Sequence, residues 1–290
     1  MMFYFDVHTH SVGRFPASEI VSLNVDSGII ASEIVYASVG IHPWFLSEME
    51  EDKQWNHLLE LVKDKRVIAL GEAGLDKLKG PSLEFQKSVF RKEIALSEEM
   101  GLPLVIHCVR AFNELLQLRK ELKPDQPWII HGFRGKKEVA EMLLKAGCYL
   151  SFGSSFQETA LSAVPLNRLF IETDDTVEKI EGLYQRIATV RGEALEELAQ
   201  GVKKNVKEEI QIKKNKIYFR IEGDFRPGET KDIVKCYYSL DNKKWHKIGP
   251  DYRTRFDWQR FFMGTKFAIF NYATQNEGGY VDVDWFEFSK

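Results

Sequence analysis

RVIALGEAGLD, residues 66–76, decides the fold because an apolar run of strand length ends directly at an acid, Glu72. Four further runs have the same build and end at a histidine or an aspartate: FYFDVHTH (3–10), PLVIHC (103–108), PWIIH (127–131) and RLFIETD (168–174). Near-continuous Val, Ile, Leu and Phe segments of this length are typical of parallel strands buried on both faces. Parallel α/β folds carry their functional side chains where such strands end. We therefore expect these polar residues to converge on one rim.

Strands and helices alternate through about residue 175. The predicted strands are 3–7, 19–24, 35–41, 66–71, 103–107, 127–131, 148–153 and 168–173. Charged segments with apolar residues at helical spacing are 50–64, 81–101, 110–123, 136–147, 155–163, 177–190 and 193–207. This alternation predicts an α/β fold, a small TIM-type (β/α)8 barrel. The connections 8–19 and 25–34 are too short or irregular for full helices, so the barrel should be irregular on that side.

The pattern changes near residue 210, after a lysine-rich stretch that we interpret as a helix end and a linker. Beyond it, segments such as KIYFRIEGDF (216–225) and YVDVDWFEF (280–288) are aromatic, alternating and punctuated by Gly, Pro and Asn. Such segments predict antiparallel strands with one buried and one solvated face. We therefore predict two domains, a barrel over 1–209 and an all-β part over 210–290.

The formal net charge of −3 hides an asymmetry between these two parts. Residues 1–210 hold 25 Lys and Arg against 32 Asp and Glu, whereas residues 211–290 hold 15 against 11. An acidic barrel does not resemble a non-specific nucleic-acid binder. This charge is compatible with a nuclease, because bound divalent cations reverse the local field.

Cysteine content and the apolar segments bear on the compartment. The chain has three cysteines, no CxxC motif and a length that does not suit a disulfide scaffold, which favours a reducing compartment. The N-terminal MMFYFDV lacks the basic and long apolar regions of a signal peptide. No apolar stretch approaches the roughly 18 residues that span a bilayer. We expect a soluble, cytoplasmic protein without membrane contact.

The strand ends predict a metal site. His8 and His10 form an HxH at the end of the first strand, and residues i and i+2 of an extended segment point the same way, so both imidazoles can reach one ion. An HxH alone is more often structural, and the prediction depends on the joint placement of six residues. They are His8, His10, Glu72, His107, His131 and Asp174. Imidazole and carboxylate without thiolate favour zinc, manganese, iron or magnesium.

Two of these residues have predicted chemical roles. Glu72 can bridge two cations roughly 3.5–4 Å apart, which would ionise a shared water and clamp a phosphoryl oxygen. Asp174 can ligate one cation and take the proton from the attacking water. The structural alternative for Asp174 is an N-cap of a helix at 177, a role that suits Asp175 better. His57 and His246 do not follow strand-like runs, and we interpret them as surface residues.

The combined motifs resemble the TatD family of metal-dependent hydrolases. They are HTH (8–10), GIHP (40–43), GEAGLD (71–76), PLVIHC (103–108), IIHGFRG (129–135) and ETDD (172–175). The resemblance covers roughly 1–209 and implies a TIM-type barrel with two divalent cations (Mg²⁺, Mn²⁺ or Zn²⁺). It also implies DNase activity, commonly a 3′-to-5′ exonuclease on single-stranded DNA. The chain departs from the family where Thr176 and Val177 follow ETDD in place of the usual Ser/Ala-Pro.

The resemblance also implies roles for single residues. His8, His10 and Asp174 would hold one cation, Glu72 would bridge, and His107 and His131 would serve the second, while His42 would face the substrate. From their positions three residues after His107 and His131, Arg110 and Arg134 could pair with phosphate. Three aromatic residues could stack on bases, with loop packing as the alternative: Trp44, Phe45 and Phe133.

The C-terminal part resembles a different family. FFMGTKFAIFNYAT (261–274), GGYVDVDWFEF (278–288) and YYSLDNKKWHKIGP (237–250) are similar to the end of the concanavalin-like β-sandwich of family 43 glycoside hydrolases. The similarity covers only about 75 residues, so we expect a partial β-sandwich. No paired carboxylates on a glycosidase framework are found. Carbohydrate contact through Asn271, Tyr272, Asp282 and Asp284 is one interpretation, and ordinary strand edges are the other.

Three functional hypotheses follow. The first is a two-metal phosphodiesterase acting on DNA with Asp174 as the base. The second is an amidohydrolase-type barrel acting on an amide, ester or lactone; such barrels often bridge their metals with a carboxylated lysine, whereas Glu72 occupies that place here. The third is a carbohydrate-binding module attached to a degenerate barrel, against which the presence of all six ligand residues counts.

Overall fold

The computed structural model describes residues 4–13, 15–28, 30–206, 218–223 and 233–253. The chain divides into two compact units, Met1–Lys213 and Lys214–Lys290. No helix in the described ranges is both long and apolar enough to cross a membrane.

The described part of the first unit contains an eight-stranded parallel sheet in the order β1 to β8. Its strands are β1 (Asp6–Thr9), β2 (Glu19–Asn24), β3 (Ala37–Gly40), β4 (Val67–Asp76), β5 (Leu104–Val109), β6 (Trp128–Ile130), β7 (Tyr149–Phe152) and β8 (Leu169–Ile171). Thr9 pairs with Asp174 in a parallel bridge, through which the end of β8 meets β1 and closes the barrel. The predicted TIM-type barrel is therefore confirmed.

Helices follow most of these strands. They are α1 (Glu51–Leu61), α2 (Leu83–Met100), α3 (Phe112–Leu122), α4 (Lys137–Lys145), α5 (Glu158–Ala163), α6 (Ile180–Arg191) and α7 (Leu195–Val206). Between β1 and β2, and between β2 and β3, the chain forms only the short 3-10 helices Pro16–Ser18 and Val25–Ser27. The predicted irregular side of the barrel is present, because these connections are too short for a packed α-helix.

The start of α6 removes the structural alternative for Asp174. The helix begins at Ile180 after Lys179, so neither Asp174 nor Asp175 is its N-cap. Instead, Asp174 has a positive φ of 57°, and the backbone N–H of Thr176 donates to the carbonyl of Thr173. The chain therefore changes direction at Asp174, shortly after β8, and α6 begins at Ile180 rather than at the predicted residue 177.

Strand composition explains the core. Leu70, Leu104, Ile106 and Leu150 are fully buried, because each strand has one face toward the barrel interior and the other against the helices. Adjacent strands also come close where side chains are absent. A Cβ on Gly40 would lie 2.5 Å from the carbonyl oxygen of Glu72, so glycine lets the end of β3 approach β4.

The second unit is described over one small sheet. Its strands, β9 (Tyr218–Gly223), β10 (Ile233–Ser239) and β11 (His246–Arg253), are antiparallel in the order β11-β10-β9. The side chains of Phe219 and Ile221 are exposed. The segments 261–274 and 278–288, which resemble the end of a concanavalin-like β-sandwich, lie outside the described residues, and so do Asn271, Tyr272, Asp282 and Asp284.

Candidate metal centre

The carboxyl ends of five barrel strands deliver the six predicted ligand residues to one place. β1 carries His8 and leads to His10, β4 carries Glu72, and β5 carries His107. His131 follows β6, and Asp174 follows β8. The parallel direction of all eight strands brings these ends to the same rim.

Glu72 lies at the middle of the cluster and turns its two oxygens to different histidines. Its Oε1 is 3.4 Å from Nε2 of His8 and 3.3 Å from Nε2 of His10. Its Oε2 is 2.7 Å from Nε2 of His131 and 3.5 Å from Nδ1 of His107. One carboxylate thus faces two separate donor sets, which is the arrangement that a bridging ligand needs.

Asp174 completes the first donor set. Its Oδ1 lies 3.6 Å from Nε2 of His8 and 3.3 Å from Nε2 of His10. Potential ligand atoms within 4.8 Å of one another occur in three groups among the described residues: His8, His10 and Glu72; His8, His131 and Asp174; and His42, Glu72 and His107.

The His8 imidazole tests whether these residues fit a cation. The side chain is completely buried, and neither ring nitrogen makes a hydrogen bond in the described part of the chain. A buried polar nitrogen without a partner is costly, whereas coordination to a metal would satisfy it. The donor set of imidazoles and carboxylates fits a divalent cation as well.

The charges of the cluster are strongly coupled. Burial would raise the pKa of Glu72, but His131, His10 and His107 outweigh it and hold the pKa well below its usual range. Burial also acts to raise the pKa of Asp174, and the nearby imidazoles of His10 and His8 outweigh it and hold the pKa below its usual range. In turn, Asp174 and Glu72 raise the pKa of His10 to about 10. Because His10 keeps its proton beside these carboxylates, binding of a cation to its ring nitrogen releases that proton.

His42 joins the cluster in a different manner from the other histidines. Its Nε2 is 3.2 Å from Oε2 of Glu72, and its Nδ1 accepts the backbone N–H of Trp44 at 3.0 Å. Burial lowers the pKa of His42, so the ring is neutral. A neutral imidazole that accepts at Nδ1 carries its hydrogen on Nε2. His42 therefore donates to Glu72 and offers no lone pair to a metal at that nitrogen.

Sequence reasoning missed three buried carboxylates that support the cluster. Asp6 accepts hydrogen bonds from the backbone N–H of Thr173 at 3.0 Å and from its hydroxyl at 2.6 Å. Glu172 lies 3.5 Å from Nδ1 of His131, and Asp76 lies 3.1 Å from Nε2 of His107. The contacts of Glu172 and Asp76 are of the kind that orients metal-binding imidazoles, whereas Asp6 fixes the backbone at Thr173 beside Asp174.

A period of two along the strands was the available signal. Asp6 precedes His8 by two positions, and Glu172 precedes Asp174 by two. Asp76 follows Glu72 by four positions in β4. Residues at even spacing in a strand share a face, so Asp6 and Asp76 point toward the same side as a predicted ligand. Burial would raise the pKa of Asp76, but its hydrogen-bond donors, including Trp44, lower it and keep the group ionised.

The predicted substrate contacts have mixed outcomes. Arg110 and Arg134 are exposed and form no ion pair with the cluster among the described residues. Trp44 and Phe45 are partly exposed, with ring centroids 5.0 and 5.4 Å from that of His42. The prediction that Phe133 stacks on bases is wrong. Its side chain is 1% exposed and packs edge-on against aromatic neighbours, Phe112 and Phe152.

Comparison with known proteins fits this geometry. The model of the TatD related DNase family matches residues 22–211. That range includes Glu72, His107, His131 and Asp174, and it covers more than half of the chain. The chain belongs to the TatD related DNase family.

The relatives of this TatD-family chain include uncharacterized hydrolases and named nucleases. An uncharacterized metal-dependent hydrolase of Bacillus subtilis, YabD, is 38% identical over 153 residues, which are 49% of this chain and 59% of the relative. The 3'-5' RNA nuclease TATDN2 of Homo sapiens is 35% identical over 50% of this chain and 21% of its own length. The 3'-5' ssDNA/RNA exonuclease TatD of Pantoea ananatis is 29% identical over 59% and 76%. The chain thus spans less than two thirds of the first two relatives.

Two solved structures share the fold. YjjV, a TatD homologue from Escherichia coli, has a TM-score of 0.58 at 20% identity, covering 70% of this chain and 96% of that one. A TatD family hydrolase from Entamoeba histolytica has a TM-score of 0.61 at 19% identity, covering 71% and 97%. Separately, the model of the β-xylosidase C-terminal concanavalin A-like domain matches residues 184–289. That range starts inside α6, before the described strands of the second unit.

Proposed function

We propose that the chain is a divalent-metal-dependent phosphodiesterase that shortens single-stranded DNA from its 3′ end. The observation that carries this proposal is the position of Glu72, whose two oxygens face separate histidine sets. Two adjacent cation positions are the usual machinery for attack on a phosphodiester. The name of the Pantoea ananatis relative, a 3'-5' ssDNA/RNA exonuclease, supports the choice of substrate and direction.

The six clustered residues divide between two cation positions in this proposal. His8, His10 and Asp174 would hold one cation, His107 and His131 would hold the other, and Glu72 would be a ligand of both. Mg²⁺, Mn²⁺ and Zn²⁺ all suit this set of oxygen and nitrogen ligands. When bound, such cations lower the pKa of water and neutralise charge on the phosphoryl oxygens.

Two residues of the chain handle protons. Asp174 is ionised and half-buried at the rim, so its free oxygen can take the proton of the attacking water. His42 holds a hydrogen on Nε2 and directs it into the cluster, where it can donate to Glu72 or to a phosphoryl oxygen. A neutral donor aimed at developing negative charge stabilises the transition state without itself changing charge.

Contacts to the DNA come from the rim. Trp44 and Phe45 are exposed beside His42 and offer ring faces to a terminal base. Arg110 and Arg134 are exposed and available to phosphates farther along the strand. All three cysteines are free, which suits the reducing cytoplasm that we propose as the compartment.

A digestion assay tests the proposal. Single-stranded DNA labelled at its 5′ end should be shortened stepwise by the purified protein with Mg²⁺, Mn²⁺ or Zn²⁺, and the His8→Ala/His10→Ala variant should be inactive. Matched RNA strands test the activity named for the human relative. A metal-loaded protein that cleaves neither strand but hydrolyses aryl esters or lactones would establish the amidohydrolase alternative. Binding to immobilised polysaccharide without any hydrolysis would favour the carbohydrate-binding alternative.

A further inference from the structure

We propose that Asp76 and Trp44 are positioning residues that make His107 present Nδ1, rather than Nε2, to the metal centre. The inference rests on the proposed function to the extent that His107 is taken as a metal ligand. It concerns the hydrogen-bond network behind the ligand, which is built before any cation binds.

The contact between Asp76 and His107 determines the tautomer. Oδ2 of Asp76 lies 3.1 Å from Nε2 of His107. An ionised carboxylate only accepts hydrogen bonds, so the hydrogen of the imidazole must be on Nε2. In the neutral ring Nδ1 then carries the lone pair, and this atom is 3.5 Å from Oε2 of Glu72. The metal-facing atom of His107 is therefore Nδ1.

Asp76 cannot turn away from this contact. Its Oδ1 accepts the backbone N–H groups of Leu78 at 2.7 Å and Lys79 at 3.1 Å. Gln86 accepts from the backbone N–H of Asp76 at 2.7 Å and donates to its carbonyl at 2.9 Å. The residue is 3% exposed. Both oxygens and the backbone are thus fixed, which is the preorganisation that a positioning group requires.

Trp44 supplies the remaining donor. Its Nε1–H donates to Oδ2 of Asp76 at 2.5 Å, the same oxygen that faces His107. The Trp44 ring also lies edge-on to His107, with centroids 5.2 Å apart, and the ammonium of Lys79 is 3.6 Å from the ring centroid. The loop after β3 is thereby tied to the end of β4 through one indole.

The same residue fixes two histidines that turn in opposite directions. The backbone N–H of Trp44 donates to Nδ1 of His42, so His42 directs its Nε2–H at Glu72. The indole N–H of Trp44 donates to Asp76, and Asp76 in turn makes His107 direct the lone pair of Nδ1 at Glu72. The two imidazole centroids are only 4.6 Å apart. His131 differs from both, because its Nε2 faces Glu72 and its Nδ1 lies beside Glu172.

Asp76→Asn should reverse the tautomer of His107. An amide has one acceptor, and the backbone N–H groups of Leu78 and Lys79 both require it. The amide NH₂ then replaces Oδ2, so the indole N–H of Trp44 loses its acceptor. Nε2 of His107 faces the same NH₂ and must accept, so the hydrogen moves to Nδ1 and blocks the metal-facing lone pair. Asp125→Asn is the matched control, because it removes the same charge from an exposed side chain.

The primary readout is the tautomer in metal-free protein. Long-range ¹H–¹⁵N correlation spectra recorded over the alkaline pH range distinguish the imidazolium, which has a hydrogen on both nitrogens, from the two neutral tautomers. Comparison with His107→Gln assigns the signals. We expect Nε2–H in the wild type, in Asp125→Asn and in Trp44→Phe, which keeps the carboxylate acceptor. We expect Nδ1–H in Asp76→Asn.

The second readout is Zn²⁺ affinity, measured by competition with a chromophoric chelator. Asp76→Asn should weaken binding about 10–100-fold, and Trp44→Phe should weaken it less. An Nδ1–H tautomer in the wild type overturns the inference, and so does a folded Asp76→Asn with unchanged tautomer and affinity. If circular dichroism shows that Asp76→Asn does not fold, two other measurements test the inference. An Nε2–H tautomer in the wild type with weaker Zn²⁺ binding by Trp44→Phe supports it, and an Nδ1–H tautomer or an unchanged affinity of Trp44→Phe overturns it. None of these measurements requires nuclease activity, so failure of this inference is distinguished from failure of the proposed nuclease reaction.

Discussion

Thr9 of β1 and Asp174 after β8 form the parallel bridge that closes the barrel, so part of the metal centre lies on the closing seam. The backbone N–H of Asp174 donates to the carbonyl of His8 at 2.9 Å, and that of His10 donates to the carbonyl of Asp174 at 3.3 Å. The backbone contacts that close the barrel therefore also place Asp174 beside His8 and His10.

Metal content is the first prediction. The wild type should bind about two divalent ions per chain, as a bridged pair requires, and His8→Ala/His10→Ala should bind fewer. Elemental analysis of dialysed protein measures the difference. His57→Ala/His246→Ala is the matched control, since neither histidine belongs to the cluster. Equal content in wild type and His8→Ala/His10→Ala would contradict the ligand assignment.

Asp174→Asn should lower turnover by roughly 10²-fold or more, because general-base catalysis contributes about 10²–10⁴. The fold should survive, since the bridge to Thr9 uses backbone atoms and asparagine tolerates the positive φ of 57°. Asp175→Asn, at the exposed neighbouring position, should retain activity. Single-turnover cleavage of single-stranded DNA at saturating metal separates this effect from weakened metal binding. Full activity in Asp174→Asn would assign the base elsewhere.

The sequence predicted the strands well because buried parallel strands are apolar on both faces. For β4 and β5, the apolar run and the polar residue that follows were both visible, and the structure places Glu72 and His107 there. β1 lies at Asp6–Thr9 instead of 3–7, since its polar residues face the site and obscure the apolar pattern.

Side-chain partners were less predictable. Phe133 was assigned to the rim because it follows His131, yet it is buried against aromatic residues. The role of Asp76 depends on Trp44 and Gln86, which approach from other parts of the chain. Contacts of this kind arise from tertiary packing, and a local pattern does not encode them.

Glu93 gives a prediction about pH. Its side chain is 1% exposed and accepts the backbone N–H of Ile41 at 2.9 Å, and burial raises its pKa well above the ordinary value of 4.5. The folded chain keeps a proton that the unfolded chain releases above that pH. The stabilisation is therefore fully present at low pH and is lost as pH rises toward the folded pKa, with a slope of at most about 1.4 kcal/mol per pH unit.

Glu93→Gln should remove this slope, because glutamine keeps the acceptor for Ile41 and cannot ionise. The free energy of unfolding should be less dependent on pH in the variant, and relatively higher at alkaline pH. Urea titrations across the pH range measure the difference between the two proteins. Glu84→Gln in the same helix is the control, since that residue is exposed. Parallel pH curves for wild type and Glu93→Gln would show that Glu93 is ionised in the folded state.

The last prediction concerns the C-terminal part. All six candidate ligands lie between residues 8 and 174, and α7 ends at Val206. A chain ending at Glu209 should therefore fold, bind the same number of divalent ions and retain the activity of the full chain. Residues 210–290 alone should self-associate or be poorly soluble, because the apolar side chains of Phe219 and Ile221 are exposed on the three-stranded sheet.

Activity assays, metal analysis and circular dichroism on the shortened chain distinguish the possible outcomes. Equal rates for the two chains would assign hydrolysis to the barrel. A shortened chain that is folded and metal-loaded but inactive would mean that the C-terminal part completes the site, because the metal ligands alone would then be insufficient for the reaction. A shortened chain that no longer folds would instead assign the C-terminal part a role in the stability of the barrel. Such a chain would also lose its metal, because the ligands come together only when the barrel closes at Thr9 and Asp174.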